Sequence, residues 1–343
     1  MVKDNGIKVF DGGGEKFTER IERQVEAIVA DFAWTERSGP ADAVAHANVV
    51  EAYLDHLRAI ISSPLPFDGQ RLAIDCANGA AYDIAPHVFH ELGADVIPIG
   101  VSPNGFNINE KCGSTEPDAL ANKVREMRAD VGIALDGDAD RVIISDERGH
   151  IIDGDQLMAA IAGGWARAGR LQGGGLVATV MSNLGLERFL EAKGLELART
   201  AVGDRYVLEQ MRAKGYNIGG EQSGHLIFRR ELQTGDGMLS ARHLGELVVR
   251  SGPLGGLAST AWTRAPQVLI NIPRDDYRDD LTRSDIAAVL SAQHIDDSEI
   301  RLVIRPSGTE PLVRVMVEAN EATVVDAIAE TVRHRYGMST PEH

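Results

Sequence analysis

Val131-Gly132-Ile133-Ala134-Leu135-Asp136-Gly137-Asp138-Ala139-Asp140-Arg141-Val142-Ile143-Ile144 sets three carboxylates at alternate positions between two apolar runs. The β-branched-rich flanks predict strand, acidic turn, strand. In an extended loop, side chains two positions apart face the same side, so Asp136, Asp138 and Asp140 converge. Three anionic groups that close repel one another unless protons or a cation intervene. A hard divalent ion answers that repulsion. The loop holds no His or Cys, so Mg2+ sharing its shell with water or a phosphate fits better than Zn2+.

Two blander readings compete. The spacing Asp-x-Asp-x-Asp, with Glu147 at the twelfth position, imitates an EF-hand loop. Yet Arg141 stands at the sixth position, where that loop needs Gly, and the flanks read as strands rather than helices. A solvated acidic turn, of the kind Asp and Gly favour, is the other alternative. Arg141 beside the acidic triplet weakens it without removing it, because a cation next to a metal site suggests an anionic ligand.

The chain of 343 residues is long enough for two to four domains, each with its own core. It is 43% hydrophobic and 25% charged, ordinary for a soluble globular protein. A formal net charge of -16 disfavours nucleic acid and anionic membranes as partners, since both need a broad basic surface. Any anion must be caught by a local cluster. Cys76 and Cys112 are too few for a disulfide framework and are read as buried or incidental thiols in a reducing compartment. The first residues have no apolar signal region, and no run reaches the ~18 apolar residues of a membrane span. The expected location is cytoplasmic.

Working outward from the acidic loop, Leu72 to Cys76 reads as a strand, followed by Asn78-Gly79, a helix to Leu92-Gly93, and a strand from Val96 to Ile99. The order recurs at Leu176 to Val180, Asn183-Leu184-Gly185, a helix to Lys193-Gly194, and Leu195 to Val202. Asn78 and Asn183 are 105 positions apart (183 - 78), the length of a small domain, so two similar α/β domains in tandem are expected. Upstream, the strand Ile7 to Phe10 and an amphipathic helix through Ile21, Val25, Ile28 and Val29 cannot bury their apolar faces alone, and read as the tail of a domain.

Two later loops carry ligand chemistry. Glu221, Ser223 and His225, set among glycines, can press hydrogen-bonding groups against a polyhydroxylated ligand; taken alone, the stretch also reads as an ordinary turn. Thr234-Gly235-Asp236-Gly237 has the polar start that a helix N-cap needs. Arg305, Ser307, Gly308, Thr309 and Arg314 offer guanidinium forks, hydroxyls and close backbone approach, which is a phosphate cradle by type. Taken alone, that loop also reads as a polar hairpin turn.

In this order, the stretches resemble the α-D-phosphohexomutase superfamily, and within it the members that act on amino-sugar phosphates. The matching segments are Asp4 to Phe10, Asn107-Ile108-Asn109 with Cys112-Gly113-Ser114-Thr115, Asp136 to Arg141, Val202 to Tyr206, Gly220 to His225, and Arg305 to Pro311 with Arg314. Such ordered coincidence along nearly the whole chain is far more specific than any one loop. The resemblance implies an α/β fold of tandem mixed α/β domains with a smaller α+β C-terminal domain, arranged around one cleft. Residues 1–48 would be a remnant of domain I, 49–152 domain II with the metal loop, 153–262 domain III with the sugar loop, and 263–343 the phosphate-binding domain IV.

By the same resemblance, Asp136, Asp138 and Asp140 hold Mg2+. Lys8 and Arg141 assist proton transfer or polarise the accepting hydroxyl. Glu221 and Ser223, with His225 beside them, contact the sugar, while Arg305, Ser307, Gly308, Thr309 and Arg314 clamp the phosphate that is not reacting. The implied reaction interconverts glucosamine 6-phosphate and glucosamine 1-phosphate, with a hexose 1,6-bisphosphate as activator. Alternatives are a phosphomannomutase or phosphoglucomutase activity, and non-catalytic sugar-phosphate binding. The superfamily's phosphoserine lies in a Ser-His-Asn-Pro stretch ahead of the segment matching Asp4 to Phe10, and no such stretch occurs here. The expectation is an N-terminally incomplete chain, short by on the order of 100 residues. Alone it is expected to lack turnover, and the exposed apolar faces of Ile7 to Phe10 and the following helix are expected to favour self-association or a partner that supplies the missing domain.

Overall fold

Strands form where four or five apolar residues run between Gly, Asn and Asp, and helices form where the apolar period lengthens. The computed structural model describes residues 9–14, 16–32, 49–60, 67–251, 263–307 and 310–338. Lys8, Gly308 and Thr309 lie outside the described residues, as does the first half of the strand expected at Ile7 to Phe10. Phe10 makes an isolated antiparallel bridge with Lys16.

In chain order, α1 (Glu19–Asp31) and α2 (Val49–Ile60) precede β1 (Arg71–Asp75), α3 (Ile84–Glu91), β2 (Asp95–Ile99), α4 (Asp118–Met127), β3 (Val131–Leu135), β4 (Val142–Ser145) and β5 (Ile151–Ile152). Next come α5 (Gly154–Arg167), β6 (Gly175–Thr179), α6 (Leu184–Glu191), β7 (Glu196–Thr200), α7 (Asp204–Lys214) and β8 (Gly219–Gly220). Short β9 (Leu226–Ile227) and α8 (Gly237–Ser251) follow. The chain closes with β10 (Gln267–Pro273), α9 (Asp279–Gln293), a 3-10 turn at Asp297–Glu299, β11 (Ile300–Pro306), β12 (Leu312–Ala319) and α10 (Ala322–Arg335).

These elements make two units, and the chain passes between them more than once. Unit 1 draws on residues 1–152 and 223–255, unit 2 on 153–222 and 256–343. In unit 1 a five-stranded sheet has the order β2-β1-β3-β4-β5. β1 runs parallel to β2 and β3, and the hairpin that carries the acidic loop makes β4 antiparallel to β3. Every residue of β3 is buried, as expected of a strand covered on both faces. Leu120 and Val124 of α4 pack with Ala73 and Ala134 on one side of the sheet. On α1 and at its C-cap, Val25, Ile28, Val29 and Phe32 are exposed.

Unit 2 begins with a capping box, in which Asp153 accepts Gln156 N–H and the Gln156 side chain returns a bond to Asp153 N–H. β7, β6 and β8 form parallel pairs. The C-terminal sheet is antiparallel, in the order β10-β12-β11. Ile270, Ile272, Val315 and Val317 on its inner face meet Ile286 and Leu290 of α9 and Val325, Ile328 and Val332 of α10. Burying each such side chain contributes about 1.5–3 kcal/mol, which anchors the domain that carries Arg305 and Arg314. Among the described residues, no helix is long and apolar enough to cross a membrane.

Candidate active site

The acidic loop leaves the carboxyl end of β3, the edge where open α/β sheets place their ligands. One oxygen each from Asp136, Asp138 and Asp140 lie within 4.8 Å of one another. The convergence expected from alternate spacing is therefore met by the backbone. Asp136 is buried and Asp138 exposed. Burial, followed by the charges of Asp140 and Asp138, pushes the Asp136 carboxyl up to about 6. A cation at this cluster would offset that cost. The donors are all hard carboxylate oxygens, a set that suits Mg2+.

The loop is held in shape by its own backbone and by the turns beneath it. Asp136 Oδ1 accepts Arg141 N–H at 3.1 Å. Arg141 Nε stands 3.7 Å from both Asp136 Oδ2 and Asp140 Oδ1, with the side chain 45% exposed. Below the loop, Ala80 N–H donates to the Gly137 carbonyl (2.8 Å), and Asn109 N–H donates to the Ala77 carbonyl (2.8 Å). A Cβ at Gly79 would lie 2.7 Å from Gly137 Cα, so this close approach requires glycine. Buried Asp75 ties the turns together by accepting Ala77 N–H (3.0 Å) and Gly113 N–H (2.7 Å).

Backbone strain gathers in the same place. Of seven non-glycine residues with left-handed φ among those described, Ala77, Asn78, Asn109, Lys111 and Ala139 belong to the acidic loop or to these turns. Each costs about 1–2 kcal/mol relative to a relaxed backbone, and such costs cluster where function dictates shape. Sequence reasoning singled out Asn107 to Asn109 and Cys112 to Thr115 only by resemblance, and missed their role as a platform. The available signal was Asn-Gly beside isolated glycines.

The boundary between units falls inside the expected sugar loop, between Gln222 and Ser223. His225, in unit 1 with the acidic loop, is buried; its Nδ1 lies 3.5 Å from Asp140 Oδ1, and its Nε2 accepts Gly235 N–H at 3.1 Å. Ser223 is exposed. Glu221, in unit 2, accepts Gly203 N–H through Oε1 at 3.0 Å, which fastens it to the head of α7.

In unit 2, Arg305 and Arg314 sit directly opposite each other on the β11–β12 ladder. Like charges facing across antiparallel strands destabilise the pair unless an anion or a carboxylate intervenes. Burial and the Arg314 charge lower the Arg305 pKa, and the nearby Glu221 carboxylate opposes that shift. Arg314 reaches Glu310 at 2.7 Å, while its Nε is buried with no hydrogen-bond partner. Ser307 is buried, its N–H donating to the Leu312 carbonyl at 2.8 Å and its carbonyl accepting from Arg274 at 3.2 Å. Arg274, which the sequence did not point to, braces this loop from β10's end.

The chain matches three family profiles: phosphoglucomutase/phosphomannomutase alpha/beta/alpha domain II over residues 51–149, domain III over 153–265, and the C-terminal domain over 269–335. A phosphoglucosamine mutase of Rhodopseudomonas palustris (strain BisA53) is 48% identical, the match covering 97% of this chain and 74% of that protein. One from Beijerinckia indica subsp. indica is 49% identical, covering 99% of this chain and 76% of the relative. Among solved structures, a Burkholderia thailandensis phosphoglucomutase/phosphomannomutase family protein superposes with a TM-score of 0.69 at 22% identity, over 93% of this chain and 70% of its own. The Aspergillus fumigatus N-acetylphosphoglucosamine mutase, solved in complex with GlcNAc-6P and magnesium, gives 0.64 at 22% identity, over 84% of this chain and 66% of its own. These distant structures bear on the fold alone, whereas near-half identity over almost all of the chain bears on the family. The chain belongs to the phosphoglucosamine mutase family of the phosphohexomutase superfamily.

Proposed function

We propose that the chain serves the interconversion of glucosamine 6-phosphate and glucosamine 1-phosphate, an intramolecular phosphoryl transfer. The observation that carries this reading is a converging aspartate triad and a pair of facing arginines in a chain nearly half identical to phosphoglucosamine mutases. Asp136, Asp138 and Asp140 would hold Mg2+, which when bound neutralises charge on the phosphoryl oxygens. Arg141, adjoining the triad, orients the phosphoryl group and polarises the hydroxyl that accepts it, a task shared with Lys8. Glu221 and Ser223 contact sugar hydroxyls. Arg305, Ser307, Gly308, Thr309 and Arg314 bind the phosphate that stays in place, and a hexose 1,6-bisphosphate acts as activator.

The unpartnered Arg314 Nε and the opposed Arg305 favour a phosphorylated ligand over a neutral sugar. Charge-assisted bonds of this kind contribute roughly 1.5–3 kcal/mol each, so Arg305→Ala should weaken sugar-phosphate binding about tenfold or more. The test offers glucosamine, glucose and mannose 6-phosphates, with Mg2+ and a hexose 1,6-bisphosphate, to the chain joined to a relative's Ser-His-Asn-Pro segment. Preferential turnover of glucosamine 6-phosphate is expected. Preference for the mannose or glucose ester would move the chain to a neighbouring activity, and binding without turnover would favour the non-catalytic alternative.

A further inference from the structure

The turn Thr234-Gly235-Asp236-Gly237 does more than begin a helix. Asp236 Oδ1 accepts Leu239 N–H at 2.9 Å, which caps α8 as expected. The rest of the turn faces the acidic loop. Gly237 N–H donates to the Ala139 carbonyl at 2.9 Å, and Gly235 N–H donates to His225 Nε2 at 3.1 Å. A Cβ on Gly235 would lie 2.5 Å from the His225 ring, so only glycine lets the backbone reach that nitrogen. Tyr53 of α2 fastens the turn from behind, its hydroxyl donating to Asp236 Oδ2 at 2.7 Å.

An imidazole nitrogen that accepts a backbone N–H carries no proton of its own. With Nε2 so engaged, the ring's own N–H sits on Nδ1. That nitrogen stands 3.5 Å from Asp140 Oδ1, inside a side chain that is 7% exposed. We infer that His225 is a positioning residue, its N–H placed on Nδ1 by the Gly235 bond to Nε2, and that it orients the Asp140 carboxylate for its metal-ligand role. This rests on the reading of the triad as an Mg2+ site, and it replaces the sugar contact that the resemblance assigns to His225.

The three aspartates differ in how they are held. Asp136 is fixed from within the loop by Arg141 N–H. Asp140 faces a group from outside the loop, and the 3.5 Å separation is longer than an optimal N–H···O bond, so the contact orients the carboxylate as a dipole would. Arg141 Nε is 3.7 Å from the same oxygen, but its side chain is 45% exposed; the buried ring is the fixed member of the two. Partners of this kind behind a metal ligand typically contribute 10–100-fold in affinity.

The experiment is Mg2+ calorimetry on the 343-residue chain and its variants, with thermal melting alongside. His225→Asn puts an amide N–H near the Nδ1 position and keeps a donor toward Asp140. His225→Gln puts its amide near Nε2, where it can still accept Gly235 N–H but offers Asp140 no donor. His225→Gln should weaken Mg2+ binding by about 10–100-fold while His225→Asn stays near wild type. The reverse order would mean that the ring only supports the Gly235 turn, and would overturn the inference. Equal affinity in both variants, with Asp138→Asn weakened, would overturn the inference and leave the Mg2+ reading standing. Wild type and Asp138→Asn binding alike, or no Mg2+ binding by either, would overturn both.

Discussion

The turns Cys76–Gly79 and Val180–Leu184 occupy the same step of two strand-turn-helix-strand stretches, one after β1 and one after β6, and they do different work. The first lies under the acidic loop: Ala80 bonds the Gly137 carbonyl, and Asn78, in a left-handed conformation, accepts Ser102 N–H at 3.1 Å. The second fastens the C-terminal sheet of unit 2. Asn183 caps α6 through Gly185 N–H (2.9 Å), accepts Ala265 N–H (2.9 Å), and donates to Ala265 O (3.1 Å) and Gln267 Oε1 (3.2 Å). Leu184 N–H reaches Glu318 at 3.1 Å, and Arg301 joins the Val180 carbonyl to Glu318. Repetition of topology places a turn at a sheet edge, but the partner that arrives there decides whether the turn supports chemistry or joins domains.

The largest effect expected from this difference follows Asn183→Ala. Losing the cap and leaving buried groups at Ala265 and a half-buried one at Gln267 unmatched should cost about 3 kcal/mol in unit 2, read from urea unfolding by tryptophan fluorescence. Mg2+ affinity should not change, and a stability loss too small to measure would remove the fastening role. The next effect is one of pH. Asp155 is fully buried and accepts Asn183 N–H at 2.8 Å, and burial, then the Asp153 charge, pushes its carboxyl up to about 7. Between the ordinary carboxylate value near 4 and that figure, the folded chain keeps a proton that the unfolded chain has lost. Stability therefore falls as pH rises through this window, by up to roughly 1.4 kcal/mol per pH unit. Asp155→Asn should flatten the slope; an unchanged slope would assign the dependence to another group. The smallest effect on stability comes from the first turn. Gly79→Ala should cost about 1 kcal/mol by crowding Gly137, yet lower Mg2+ affinity on the order of tenfold. An affinity equal to wild type would show that the platform does not shape the triad.

The strands and the acidic loop were legible because their signals are local: β-branched runs on either side of alternate carboxylates leave little choice of conformation. The facing arginines were legible as residue types, although their cross-strand register is visible only once β11 and β12 are paired. What escaped the sequence depends on distant partners. Asn78 and Asn183 look equivalent as strings, and nothing near Asn183 announces Ala265 or Gln267. His225 read as a ligand group because its neighbours are small and polar, whereas its tautomer is set by a glycine ten positions later that has no pattern of its own. The polar N-cap of α8 was plain, but not that the residues at its head would turn toward Ala139.

Unit 1 closes on a stretch made long after its sheet. His225 follows Asp140 by 85 positions (225 - 140), and most of the first half of unit 2 is synthesised in between. At roughly 5–20 residues per second, a ribosome takes about 4–17 s to cover that distance. During that interval the nascent hairpin exposes its three acids with neither the imidazole nor the head of α8 in place. The order of translation thus brings the acidic loop out after β1, β2 and β3, and makes it one of the last parts of unit 1 to be completed.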